Sequence, residues 1–487
     1  MNVNIRRLGA FFLVIFAVMV GDITYWQVIA ASSMVGRADN PRQQVASLEI
    51  RRGLIVDRNG VVLAQRTIDA AGLVHRSYSD PSLSQVIGYD SLRYGKSELE
   101  STYDDYLTGK VLGTSWHSFI DQLEHKPVVG DNLTLTIDDR LQQQVASFLP
   151  GSPSAAIVAN PHTGEILAMA SNPGFDANQV SADNASYWSS LLQDPQSPLV
   201  NRAVDGYYPP GSTFKVATLS AALDTGVETL DTQFDGQAAT GPLTVDSHTF
   251  CDNVIQSCAP FNNLPAGVTS VSLEQALMYS DNIVFAQVGL KLGKQRFLDY
   301  ARRFGVDQTT PFDIPVQVSH VATPGETFDN VQLASTAFGQ GGLNVTPLQM
   351  LMVTEAQANG GVIPRPVLVK QVTSPDGSVV KSASYGTLYQ PESAATAAQV
   401  TAAMVQVVQG TGGSGFEAQI PGIQVAGKTG TAETGGSSLP HAWFVCFAPA
   451  DHPRVAVVVI VEHGGEGAFV AAPIARKILQ AALSIQQ

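Results

Sequence analysis

Cysteine is scarce, with three residues in 487. None joins histidine at metal-ligand spacing and no His-Glu-x-x-His occurs, so no zinc or other metal site is expected. Charge is also scarce. Asp, Glu, Lys and Arg make up 14% of the chain against 44% hydrophobic residues, a core-forming composition that excludes a disordered, self-repelling chain. Basic residues are the minority, 28 against 42 acidic, for a formal charge of −14. An acidic surface repels phosphate backbones, so no nucleic-acid partner is expected. Internal repeats and low-complexity tracts are absent, which excludes solenoids and propellers. What remains is a globular chain too long for one core, with two or three units as the prior.

One long apolar run is present. Arg6 and Arg7 precede a stretch from Leu8 to Ala30, long enough to span hydrocarbon as a helix. The arginines would hold the N-terminus in the cytoplasm, and Trp26 suits the far interface. Asp22 opposes this reading, because a carboxylate near a membrane is costly, although it sits towards the outer end. The rival is a cleaved signal peptide ending near Val28-Ile29-Ala30. Either way the rest of the chain is expected outside the cytoplasm. In an oxidising compartment Cys251 and Cys258, seven positions apart in a polar loop, suit a disulfide; two free thiols are the alternative. Cys446, in Trp443-Phe444-Val445-Cys446-Phe447, reads as a buried strand residue.

After the anchor (residues 1–34) a first segment covers residues 35–140. Its stretch from Arg51 to Ala64 places two β-branched runs around Asn59-Gly60, a hairpin signal. Asn132 to Ile137 alternates as a strand, and Asp138 caps a helix running to about Phe148. The second segment, 141–487, opens with strands at Ala155–Ala159 and Ile166–Ala170 around a Pro161-to-Glu165 turn. Helices are expected from near Ser212 to Leu223, at Ser272–Tyr279, Ile283–Leu292 and Leu348–Ala358. Strands follow from Gln424-Ala426, at Ala442–Phe447 and at Val455–Val461, then a closing helix, Ala472–Leu483. Strands at both ends of a helical middle predict an α+β fold, an antiparallel sheet flanked by helices.

Three short stretches hold candidate chemistry. In Tyr208-Pro209-Pro210-Gly211-Ser212-Thr213-Phe214-Lys215, two prolines and a glycine fix the chain before a helix opens. Positions i and i+3 share a helix face, so the Lys215 amine can reach the Ser212 hydroxyl. A serine needs a base, and a lysine serves only when burial or a nearby cation makes it neutral. The pattern alone is weak, since Ser378-Val379-Val380-Lys381 repeats it. That copy follows a Ser-Pro-Asp-Gly turn and reads as hairpin strand, where i and i+3 face opposite ways. Ser280-Asp281-Asn282, between two helices, can aim a hydroxyl and an amide at one point, or simply cap a helix. Lys428-Thr429-Gly430-Thr431 ends a strand. Lys428 and Gly430 face one way there, Thr429 and Thr431 the other, and Gly430 lets a ligand lie against the backbone.

In this order the three stretches match the serine penicillin-recognising acyltransferases. The chain resembles the class B penicillin-binding proteins, especially the actinobacterial penicillin-binding protein A type. Arg52-Gly53 through Asn59-Gly60 is similar to the pedestal motif of that class. Asn201-Arg202-Ala203 and Thr346-Pro347-Leu348-Gln349-Met350 extend the likeness over nearly the whole chain. The resemblance implies a membrane-anchored peptidoglycan D,D-transpeptidase with a pedestal before its penicillin-binding domain, blocked by β-lactams and free of cofactors. Ser212 would attack between two D-alanines of a stem peptide, Lys215 take its proton, and Ser280 relay a proton to the leaving amine. Asn282 would hold the substrate amide. Lys428, Thr429 and Thr431 would bind its carboxylate beside Gly430, and the N–H groups of Ser212 and Thr431 would form the oxyanion hole. A separate glycan polymerase or division proteins would be partners.

The rivals are fewer. A β-lactam hydrolase would carry Glu-x-x-Leu-Asn between Asn282 and Lys428, and none occurs. A D,D-carboxypeptidase, which accepts water in place of an amine, is the alternative; the long pedestal favours the transpeptidase. A β-lactam-binding receptor would need a signalling domain near the anchor. A bifunctional glycosyltransferase would need more than the first segment offers.

Overall fold

The computed structural model describes residues 2–26, 51–68, 74–110, 129–246, 248–250, 268–323, 325–435 and 438–485. The apolar N-terminal run is helical over Asn2–Thr24 (α1), with every described side chain exposed. Among the described residues it is the one helix long and apolar enough to cross a membrane. Cys251 and Cys258 lie outside the described residues.

The expected hairpin forms. Strand β1 (Ile55–Val56) pairs antiparallel with β2 (Val62–Ile68), with Val56 opposite Val62. The turn between them places Gly60 at φ +88°, open to glycine without strain. One Asp57 oxygen accepts from the Asn59 and Val61 backbones, both at 2.8 Å, and the other from the Asp139 backbone at 3.2 Å. Strand β3 (Val74–Tyr78) pairs with β2, and β4 (Asn132–Leu135) runs parallel to β1. Helix α2 (Asp139–Phe148) follows, its Asp138 cap accepting from the Arg140 backbone.

Strands β5 (Ser154–Ala159) and β6 (Ile166–Asn172) open the second unit. Helices α3 (Lys215–Asp224), α4 (Leu273–Tyr279), α5 (Asn282–Leu292) and α6 (Pro347–Ala358) fill its middle. The chain then returns to the first sheet. Strands β7 (Val369–Thr373) and β8 (Val379–Ser382) complete the order β8-β7-β4-β1-β2-β3. A sheet founded on residues of the first segment thus takes two strands from deep within the second. Ser378 and Lys381 lie in this exposed hairpin, as the turn before them predicts.

Helix α7 (Ala394–Gln409), strands β9 (Ala426–Ala432), β10 (His441–Ala448) and β11 (Val455–Val461), and helix α8 (Ala471–Ile485) finish the chain. The second sheet is antiparallel, in the order β9-β10-β11-β5-β6. Its inner strands are covered on both faces and therefore read as unbroken apolar runs. Trp443, Val445 and Phe447 join the core of the helical middle, while Phe444 and Cys446 join that of α2 and α8. Strand β9 is one of the two edge strands, which leaves part of its backbone unpaired.

Candidate active site

The two prolines do not lead directly into an α-helix. Ser212 sits on a 3₁₀ segment, Gly211–Phe214, and Lys215 is the first residue of α3. This tighter turn differs from the expected helix start at Ser212. The segment abuts the edge strand β9. A Cβ on Gly211 (φ +55°) would lie 2.8 Å from the Thr431 carbonyl oxygen, and one on Gly430 would lie 2.9 Å from that of Pro210. Only glycines let these two backbones approach so closely.

The break between α4 and α5 divides its work. Ser280 ends α4 in the left-handed region at φ 63°, and Asp281 caps α5 by accepting from the Val284 backbone at 2.9 Å. Capping is therefore real, but Asp281 carries it. Ser280 and Asn282 turn to the lysine instead. Lys215 Nζ donates to the Ser280 carbonyl at 2.7 Å and to Asn282 Oδ1 at 2.6 Å, and lies 3.4 Å from Ser280 Oγ.

Lys428 enters from the strand side. Its Nζ donates to Ser280 Oγ at 2.8 Å and to the Thr429 carbonyl at 2.9 Å. Both lysines are fully buried. Burial holds the Lys428 amine well below the ordinary lysine range, and the charge of Lys215 lowers it further. One hydroxyl thus lies between two amines, and removing one proton from the pair relieves both. Thr429 Oγ1 donates to Ser414 Oγ at 3.0 Å. The Thr431 hydroxyl lies 3.5 Å from the Gly467 amide nitrogen. Sequence reading missed Ser414. Its signal was the glycine-rich stretch Gly410 to Gly415, shortly before the lysine strand. Among the described residues no cluster of His, Cys, Asp or Glu has the arrangement of a metal site.

Residues 154–480 match the family model described as the penicillin binding protein transpeptidase domain. Residues 52–133 match that of the penicillin binding protein A dimerisation domain. The chain is 34% identical to the peptidoglycan D,D-transpeptidase PbpA of Mycolicibacterium smegmatis and 33% to that of Mycobacterium tuberculosis, each match covering 99% of both chains. The solved penicillin G acyl-enzyme complex of penicillin-binding protein A from M. tuberculosis superposes with a TM-score of 0.80 at 34% identity. That match covers 89% of this chain and 100% of the other. Fold, site and similarity over its whole length agree that this chain belongs to the penicillin-binding protein transpeptidases.

Proposed function

We propose that this chain is a peptidoglycan D,D-transpeptidase that cross-links stem peptides through an acyl-enzyme on Ser212 and is blocked there by β-lactams. The carrying observation is the meeting of Lys215, Ser280, Asn282 and Lys428 from three separate segments, beside the turn that bears Ser212. In this reading the Ser212 oxygen attacks the D-alanyl carbonyl and its proton passes to Lys215. The C–N bond breaks, and the departing D-alanine amine takes a proton through Ser280. An amine of a second stem peptide then attacks the ester, and Ser212 recovers its proton. Asn282 orients the substrate amide. Lys428, Thr429 and Thr431 receive the carboxylate, with the substrate lying along Gly430. The backbone N–H groups of Ser212 and Thr431 stabilise the oxyanion, each donor contributing about 3 kcal/mol.

Residues 1–34 are proposed to anchor the enzyme with Arg6 and Arg7 on the cytoplasmic side and the catalytic unit, within 141–487, outside. Residues 35–140, joined by β7 and β8, form the pedestal. A separate glycan polymerase or division proteins would work beside it. The test is covalent labelling of the full chain with fluorescent penicillin. Ser212→Ala is expected to abolish the label and Ser378→Ala to leave it intact. A label surviving Ser212→Ala would place the nucleophile elsewhere.

A further inference from the structure

The segment before Ser212 is held at nearly every residue. Tyr208 and Val345 exchange backbone hydrogen bonds at 3.0 and 2.8 Å. The Pro209 carbonyl accepts from Trp443 Nε1 at 3.1 Å, that of Pro210 from Thr213 Oγ1 at 2.7 Å, and the Gly211 amide donates to Gly339 at 2.9 Å. One side chain closes this set from outside. Glu462 follows the last residue of β11, and its own amide donates to the Pro153 carbonyl at 2.8 Å, so its backbone is tied to the central sheet. Its Oε1 accepts from Tyr208 Oη at 2.7 Å and from Arg202 Nε at 2.6 Å. Arg202 Nη1 and Nη2 donate to the Ser197 and Gln196 carbonyls. The Tyr208 ring meets the His441 and Trp443 rings edge-on.

We propose that Glu462 is a positioning residue for the nucleophile, acting through the Tyr208 hydroxyl while Arg202 fixes the carboxylate. This rests on the reading of Ser212 as the nucleophile. The sheet anchors the carboxylate, the carboxylate anchors the tyrosine, and two stiff prolines carry that position to Ser212. Proline fixes φ, so a shift at Tyr208 is transmitted along the segment instead of being absorbed in it. Displacements of about 1 Å at a reacting group can cost on the order of 100-fold in rate.

The experiment measures the second-order acylation rate with fluorescent penicillin in the full chain. Tyr208→Phe, which deletes one hydroxyl, and Glu462→Ala are each expected to slow acylation by about 10-fold or more. Glu462→Gln keeps an acceptor at the same place and is expected to recover most of the rate. Val86→Ala, a truncation in the pedestal core, reports what loss of stability alone does. A Tyr208→Phe rate within about twofold of the parent, a Val86→Ala loss equal to that of Tyr208→Phe, or no recovery in Glu462→Gln overturns the proposal. Failure of the underlying reading has a different signature, a label that persists in Ser212→Ala.

Discussion

Lys215 and Lys428 bring two amines to a single hydroxyl, and a second cation favours the neutral form of its neighbour. Burial and the charge of Lys215 hold the Lys428 amine low. A general base must be neutral, so its activity is present above its pKa and lost as pH falls through it. Lys428→Gln removes this amine and keeps a donor near Ser280 Oγ. Because the two amines are coupled by charge, the acid limb of the acylation-rate profile is expected to move, with a lower rate at neutrality. Stopped-flow acylation across the pH range measures it, and a limb that stays in place removes the coupling. Context around these residues was legible in the chain: Pro209-Pro210-Gly211 before one Ser-x-x-Lys and a Ser-Pro-Asp-Gly turn before the other. The sharing of Ser280 Oγ was not, because 148 positions separate it from Lys428.

At the scale of elements, helices α3, α6 and α7 are tied by one buried carboxyl. Glu392 accepts from Ser220 Oγ on α3 and, at 2.6 Å, from Gln357 Nε2 on α6. Ser393, the next residue, caps α7. Burial pushes the Glu392 carboxyl up to about 7, the two donors offset part of that rise, and Asp224 adds to it. The folded value lies above the unfolded one. Stability is therefore full below the ordinary carboxyl range, is lost as pH rises towards about 7, and then levels. Glu392→Gln cannot ionise. Relative to the parent it is expected to gain on the order of 1–3 kcal/mol at pH 8 compared with pH 4. Denaturant titrations at the two values test this, and a difference that does not change with pH would refute it. Helix α7 was not foreseen, nor were helices Lys294–Arg303 and Asn330–Ala337. The α7 sequence is mostly alanine and valine, with threonine, glutamine and one methionine and no charged residue. It therefore lacks the charged face that marks most amphipathic helices, and packing decides its state. Strands β10 and β11 were legible because burial on both faces demands an apolar run.

For the whole molecule, the two units are joined covalently and by contact. Tyr103 Oη donates to Asp313 Oδ1 at 2.5 Å, and Asp313 Oδ2 accepts from the Leu368 and Val369 backbones at 2.8 and 2.9 Å, just as the chain enters β7. Inside the pedestal, Glu100 is fully buried between Arg52 Nε at 2.5 Å and Arg76 Nε at 2.6 Å. Burial raises its carboxyl, but Arg52 and Arg76 outweigh this and hold it below the usual range. Removing that charge takes away the carboxylate paired with the buried Arg76 and one of the three around Arg52, which keeps Asp104 and Asp90, at a cost of about 3–5 kcal/mol. Glu100→Ala is expected to expose residues 51–110 to limited proteolysis while the folded fraction still labels at Ser212 with the parental rate. Labelling that slows in step with proteolysis would mean that the pedestal also shapes the active site.

The sequence by itself determined what is local. Turns follow from Asn59-Gly60 and the Ser-Pro-Asp-Gly step, caps from Asp138 and Asp281, and buried strands from their apolar runs, because each depends on neighbours a few positions away. It also determined the family, since three motifs in order are far rarer than any one. Tertiary structure alone decided that β7 and β8 return to the first sheet, that Ser280 Oγ lies between two lysines, and that Glu462 reaches Tyr208. These depend on contacts between residues 65 to 254 positions apart, which no local pattern encodes and only the packed core brings within hydrogen-bonding range.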